Sequence, residues 1–206
     1  MLIESLQTSG IAALYGVLDS DHSRWGRDLF GVRILGDDDL LPDLVNRGVN
    51  CFVVGLGAAG DNWPRQRLFE LGLSYGLKPL TVMHPTAICS KWAKIGSGSQ
   101  LFPGCIINVG AVIGINVIVN SGAIVEHDCQ IGNHVHVATG ARLASTVRVG
   151  DRAHVGVGAT IRQCITIGED AIVGAGAVLV KDVPPRTVVA GTPARPLRKV
   201  KGELGL

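Results

Sequence analysis

Aromatic side chains and charge are both scarce in this chain. Of 206 residues, 4% are aromatic and 17% charged, and Lys+Arg 19 against Asp+Glu 17 leaves a net charge of +2. So small a charge removes the electrostatic ground for expecting nucleic acid or an acidic membrane surface as partner. No run of about 18 apolar residues occurs, so no transmembrane helix is expected. The opening Met1-Leu2-Ile3-Glu4-Ser5 lacks both the basic and the long apolar segment of a secretory signal. The cysteines (Cys51, Cys89, Cys105, Cys129, Cys164) are odd in number and form no C-x-x-C pair. That excludes a zinc ribbon or thioredoxin motif and leads us to expect a reduced, cytoplasmic protein. Abundant instead are aliphatics, within a hydrophobic share of 47% that argues against disorder, and glycine, at 28 residues. Glycine runs at about twice its usual share, yet far below the one residue in three of collagen.

The glycines and aliphatics share a period. From Ile95 to Leu179 every sixth residue is Ile, Leu or Val, without an insertion. The fifth position of each hexapeptide is small or β-branched almost throughout, as in Cys105, Ala123, Val135 and Ala153. Met83 with Ala87, and Cys89 with Ala93, extend the register backwards more weakly. Six is not a multiple of 3.6, so the pattern is not helical, but it is a multiple of two and suits short strands with one face inward. The fourth position carries Gly, Asn or Asp at most repeats (Gly98, Gly110, Asn116, Asp128, Gly140, Asp170). These residues tolerate left-handed backbone angles, which marks the corners. Each hexapeptide is therefore a strand and a turn, and the stack is a parallel β-solenoid. Aromatics do not fit so narrow an axis, which accounts for their scarcity.

Residues 1–84 have no such period. Residues 14–18 form a short apolar run ending in Asp19-Ser20-Asp21. Residues 37–47 read as a helix with an acidic start and Gly48 after its end. Residues 51–54 read as a strand leading into Gly55-Leu56-Gly57-Ala58-Ala59-Gly60, residues 64–75 as a helix with Leu68, Phe69 and Leu71 near one face, and 78–83 as a last strand. Alternating strands and helices predict a small α/β unit with a parallel sheet. Ligands on such sheets sit at the carboxyl ends of strands, where Asp19 and the Gly55/Gly57 loop fall.

The tandem pattern in Val173-Gly174-Ala175-Gly176-Ala177-Val178 resembles the hexapeptide-repeat acyltransferases. Joined through His84-Pro85-Thr86-Ala87 to the α/β unit, it resembles the sialic-acid O-acetyltransferase-like family, which includes the N-acetyltransferases of nucleotide-linked amino sugars. The resemblance implies a left-handed parallel β-helix with three hexapeptides per triangular coil, preceded by a small Rossmann-like domain. It implies three regions: 1–84 for the nucleotide sugar, 85–186 for acyl transfer, and 187–206 as cap and tail. The family opens with a strand and a Gly-rich loop, whereas this chain begins at what corresponds to the following helix, residues 2–6. On that reading either the start is truncated or the sugar nucleotide is held differently.

The most conspicuous break in the repeat is Val125-Glu126-His127-Asp128-Cys129-Gln130, where two carboxylates flank one histidine. Histidine serves as a base near neutral pH, and a neighbouring carboxylate fixes its tautomer. The resemblance makes His127 the general base and Asp128 its support. It also places His136, Ser145, Val157 and Ala175 along the acetyl-CoA groove, while Asp19, Ser20, Gly55 and Gly57, at the carboxyl ends of strands, are expected at the nucleotide sugar. His134, a corner residue, and His154, one coil above His136, read as solvated. No cysteine has a partner suited to nucleophilic catalysis, so direct transfer without an acyl-enzyme is expected. The resemblance further implies a homotrimer with the groove between neighbouring solenoids, acetyl-CoA as co-substrate, and no metal. The zinc enzyme of similar fold, the γ-class carbonic anhydrase, needs an H-x₄-H pair that is missing. Alternatives are O-acetylation of sialic acid or another sugar, and a non-catalytic solenoid. The ending Gly191-Thr192-Pro193-Ala194 matches the closing turn of acyltransferase solenoids, followed by the basic residues Arg195, Arg198, Lys199 and Lys201.

Overall fold

The computed structural model of the chain describes residues 1–58 and 60–200. Its N-terminal part begins with helix α1 (Leu2–Ser9), ended by Gly10 in the left-handed region. Strand β1 (Val17–Leu18) pairs in parallel with β3 (Val32–Gly36), and β2 (Asp28–Leu29) pairs antiparallel to β3. The region read as one helix over 37–47 is a short helical turn, capped by the Asp37 carboxylate, running into α2 (Leu41–Asn46). Strand β4 (Cys51–Phe52) pairs in parallel with β5 (Lys78–Pro79) across helix α3 (Trp63–Ser74). The β2–β3 hairpin is not among the expected elements, although Val32, Ile34 and Gly36 alternate inward with outward-tending Arg33 and Leu35.

From Val82 onward the chain winds into coils. Three parallel sheets make a prism. The first face runs from Ile88–Cys89 to Val178–Leu179, the second from Lys94–Ile95 to Thr166–Ile167, and the third from Val82–Met83 to Ile172–Val173. Each rung is two residues long and pairs with the rung eighteen positions away, as in Ile106↔Ile124 and Ile124↔Arg142. From Lys94–Ile95 to Val178–Leu179 the second residue of each rung is the aliphatic of the repeat, and these residues, with the small fifth-position residues, form one continuous buried core from Leu101 to Val189. The expected strand over 78–83 is split: residues 78–79 stay with the α/β sheet, while Val82–Met83 pairs with Gln100–Leu101 as the first rung of the third face. At the far end, Thr187–Gly191 pairs in parallel with Ile172–Val173, and Ala194–Lys199 folds back on it antiparallel. This hairpin covers the open edge of that sheet, which would otherwise invite strand pairing. Lys201 lies outside the described residues.

Each coil turns at three edges. At the second edge, between the second and third faces, successive coils approach closely: a Cβ at Gly114 would lie 2.7 Å from Gly132 backbone atoms. Helix α3 lies over this edge. The side chains it buries are Arg65 and Phe69, with Gly72, rather than Leu68 and Leu71, which are half-buried. Phe69 meets His134 edge-on at 5.6 Å, and Trp63 lies beneath the Arg152 guanidinium at 4.2 Å. Arg152 also pairs with Glu169 and Asp170. Asn62 donates to the carbonyls of Arg152 and Ala153 at 2.9 and 3.2 Å. Most telling is Arg65, 1% exposed, whose guanidinium donates to Asn116 O at 3.2 Å, Val54 O at 2.9 Å and Leu56 O at 2.8 Å. Burial pushes its pKa down to about 9, so it remains a cation at neutral pH, held by carbonyl dipoles.

Candidate active site

The prism sorts the site residues by edge. Rung Ile124–Val125 ends the first face, and the chain turns through Glu126-His127-Asp128 before Gln130–Ile131 opens the second. His127 and Asp128 thus stand on the first edge, both exposed. Asp128 takes the corner with φ 60°, a conformation an Asp tolerates better than most residues. Its Oδ2 lies 2.8 Å from His127 Nδ1. A carboxylate only accepts, so Nδ1 donates the hydrogen and Nε2 presents its lone pair outward. Glu126 is oriented otherwise. Its Oε2 accepts from Asn108 Nδ2 at 2.9 Å and from the His127 backbone N–H at 3.3 Å. Of the two flanking carboxylates, only Asp128 reaches the ring.

One coil above, the Thr146 N–H donates to His127 O at 3.0 Å, which holds Ser145 directly over the histidine. The Ser145 amide has no acceptor among the described residues. Cys129, next to this corner, is buried, and burial pushes its thiol up to about 11. Cys105 is pushed up further, to about 12, for the same reason. Neither supplies a thiolate at neutral pH.

Val157 and Ala175 lie on the third edge, away from His127. They stack as their spacing predicts, the Gly176 N–H donating to Val157 O at 2.8 Å, and both are exposed. One chain therefore carries His127 on one edge and the stacked Val157 and Ala175 on another.

His136 is on the third face and is 7% exposed. Its Nδ1 lies 2.9 Å from Ala58 O and its Nε2 3.3 Å from Asn120 Nδ2. These partners fix the neutral form with the hydrogen on Nδ1. Burial, with help from His154 and Arg65, pushes its pKa down to about 4, against the opposing pull of Ala58 O. Ala58 belongs to the loop after β4 that carries Gly55 and Gly57. Gln100 Nε2 donates to Val54 O in the same loop at 2.8 Å. Arg65, Gln100 and His136 therefore tie the loop to the coils, a contact set for which the repeat gave no signal.

His134 and His154 are not solvated as expected. His134 is 6% exposed under α3, with Nδ1 2.9 Å from Asn116 Nδ2. His154 is half-buried and packs edge-on to His136 at 5.0 Å. Burial lowers the pKa of both. Cover by helix α3 is the reason for His134, which its corner position alone does not reveal, and His154 is packed against His136 of the neighbouring rung. Asp19 and Ser20 follow β1 as read. The Asp19 carboxylate accepts from the Asp21 N–H at 2.9 Å and pairs with Arg24, and the Asp19 carbonyl accepts from Trp25 Nε1 at 2.7 Å. Gly55 and Gly57 are exposed after β4, with nothing within 4 Å of either would-be Cβ. No group of three or more His, Cys, Asp and Glu converges as a metal site among the described residues. No helix there is long and apolar enough to cross a membrane.

No family profile matches the chain, and no curated protein does. Solved structures do. PerB of Caulobacter crescentus, in complex with CoA and GDP-perosamine, shares 36% identity over 96% of this chain and 91% of its own, with a TM-score of 0.89. The chain belongs to the sugar acyltransferase family, whose members include nucleotide-amino-sugar N-acetyltransferases. Its fold is the left-handed β-helix of these hexapeptide-repeat enzymes, with a small α/β region in front. A second member, the acetyltransferase domain of PglB from Neisseria gonorrhoeae, is 33% identical over 95% of this chain and 93% of its own, with a TM-score of 0.88. A third, WeeI from Acinetobacter baumannii, is 28% identical over 95% and 92%, with a TM-score of 0.78. The perosamine N-acetyltransferase of Caulobacter crescentus has also been solved with one histidine replaced by asparagine or alanine.

Proposed function

We propose that the chain transfers the acetyl group of acetyl-CoA to the amino group of a nucleotide-linked amino sugar. The observation that carries this reading is the exposed His127–Asp128 pair, 2.8 Å apart, in a chain 36% identical to an enzyme that holds CoA and GDP-perosamine. The sugar amine attacks the thioester carbon, and His127 Nε2 takes its proton as the C–N bond forms. Asp128 accepts from Nδ1–H and balances the imidazolium. The free Ser145 amide stabilises the oxyanion. Collapse breaks the C–S bond, and the departing thiolate recovers the proton from the imidazolium. No acyl-enzyme is required.

In this reading the exposed Val157–Ala175 column lines the groove for the pantetheine arm. The loop with Gly55 and Gly57, together with Asp19 and Ser20, holds the nucleotide sugar. Residues 1–84 serve the acceptor, 85–186 the transfer, and 187–206 close the stack. Because His127 and Val157 occupy different edges of one prism, the complete site needs two chains, and a cyclic homotrimer supplies three such sites. The free state of all five cysteines agrees with action in the cytoplasm. The test is thiol release from acetyl-CoA across UDP- and GDP-linked amino sugars, with the product identified by mass. Turnover with an amino sugar and none with its 4-hydroxy counterpart is expected. Turnover on the hydroxy sugar alone would convert the reading to O-acetylation.

A further inference from the structure

We infer that Gly110 is a positioning residue for the base: it provides the niche in which the Asp128 carboxylate turns towards His127. This rests on the reading of His127 and Asp128 above. Gly110 sits on the first edge one coil below Asp128, and the Asp128 N–H donates to Val109 O at 3.0 Å. A Cβ at Gly110 would lie 2.3 Å from Asp128 Oδ1 and 3.4 Å from its carboxyl carbon. Backbone freedom alone does not explain this glycine. Gly104, Gly122 and Gly140 take similar angles, φ +67, +64 and +66 against +73 at Gly110, and nothing lies within 4 Å of a Cβ built on any of them.

The atom a Cβ would strike is the far end of a rotatable side chain. The cheapest relief is rotation of the Asp128 carboxylate, which withdraws Oδ2 from His127 Nδ1 and leaves the coils in place. Without that acceptor, the hydrogen is no longer held on Nδ1, and part of the population presents an N–H rather than a lone pair at Nε2.

The experiment compares Gly110→Ala, Asp128→Asn and Gly104→Ala in the full chain. The readouts are steady-state kinetics and the ¹⁵N shifts of the His127 ring. Gly110→Ala is expected to lower kcat roughly tenfold, with KM for both substrates unchanged and the ring signal moved towards the Nε2–H tautomer. Gly104→Ala, which carries the same positive-φ strain, changes neither. In an Asp128→Ala background the collision disappears, so adding Gly110→Ala should cost no further kcat. If the alanine variant fails to fold, Gly110→Asn keeps the test, since asparagine tolerates this angle and still brings a Cβ. Wild-type kcat and tautomer in Gly110→Ala, alongside a loss in Asp128→Asn, overturn the niche and leave the base assignment standing. Wild-type behaviour in Asp128→Asn overturns the niche and the supporting role of Asp128, and leaves His127 as base to be decided by His127→Ala.

Discussion

His136 Nδ1 donates to the carbonyl of Ala58, 78 residues earlier in the chain, at 2.9 Å. This bond crosses from the coils to the loop that carries Gly55 and Gly57; by itself it favours the protonated ring, but burial outweighs it and keeps the ring neutral. In the unfolded chain a histidine takes its proton near pH 6.5, whereas burial holds His136 down to about 4. The unfolded state therefore gains the proton first. Stability is whole above about pH 6.5 and falls as pH drops towards 4, by up to about 1.4 kcal/mol per pH unit from this group. His134 and His154, also lowered by burial, act in the same direction. Thermal unfolding at stepped pH should show a falling midpoint below pH 6.5, and His136→Gln should flatten part of that slope. An unchanged slope would remove His136 from the account.

His127→Ala should reduce kcat by about 10² to 10⁴-fold, the usual worth of a general base. The coils should stay folded, because the side chain is half exposed and its ring has no partner but Asp128 among the described residues. Asp128→Asn should cost less, since it weakens the support and keeps the base. Equal rates for wild type and His127→Ala would end the assignment.

Arg65→Met removes the donors to Val54 O, Leu56 O and Asn116 O while keeping apolar bulk under α3. Leaving buried carbonyls unpaired costs about 1–3 kcal/mol each when water cannot reach them, so a drop of at least about 2 kcal/mol in unfolding free energy is expected. The loop should loosen as well. KM for the nucleotide sugar should then rise more than KM for acetyl-CoA, and an equal rise in both would show that the latch does not serve the acceptor.

The separation of His127 and Ala175 onto different edges can be tested by mixing chains. His127→Ala keeps a sound groove, and Ala175→Trp keeps a sound base. Each should be inactive alone, yet co-assembled in equal amounts they should recover up to about a quarter of wild-type activity, because a quarter of the sites pair two sound halves. Continued inactivity in verified mixed assemblies would place both halves of the site on one chain.

The coils were legible because a two-residue rung leaves the sequence little choice. Every inward residue from Ile95 to Leu179 shows in the six-residue period, and the observed rungs end on those residues. Helix α3 is legible from Leu68, Phe69 and Leu71 near one face, and its expected bounds are off by one residue at each end. Its buried face was not legible, since Arg65 reads as a solvent residue until the carbonyls that hold it are folded around it. The burial of His134 depends on the same tertiary cover. The β2–β3 hairpin is too short and too charged to stand out, with Arg33 inside it and Asp28 at its start. At the candidate site, His127 and Asp128 stood out as departures from a repeat. Gly110 did not, because it conforms to that repeat.

The parallel register makes residue n a neighbour of n+18 more intimately than of n+2. Asn116 bonds His134, and Arg152 bonds Asp170, each across 18 positions. A pairwise mutational scan of this chain should therefore show its strongest couplings as a stripe parallel to the diagonal and offset by that interval, fading where the chain leaves the coils before Val82. Insertion of a single residue would break the stripe. A duplicated coil would only lengthen it.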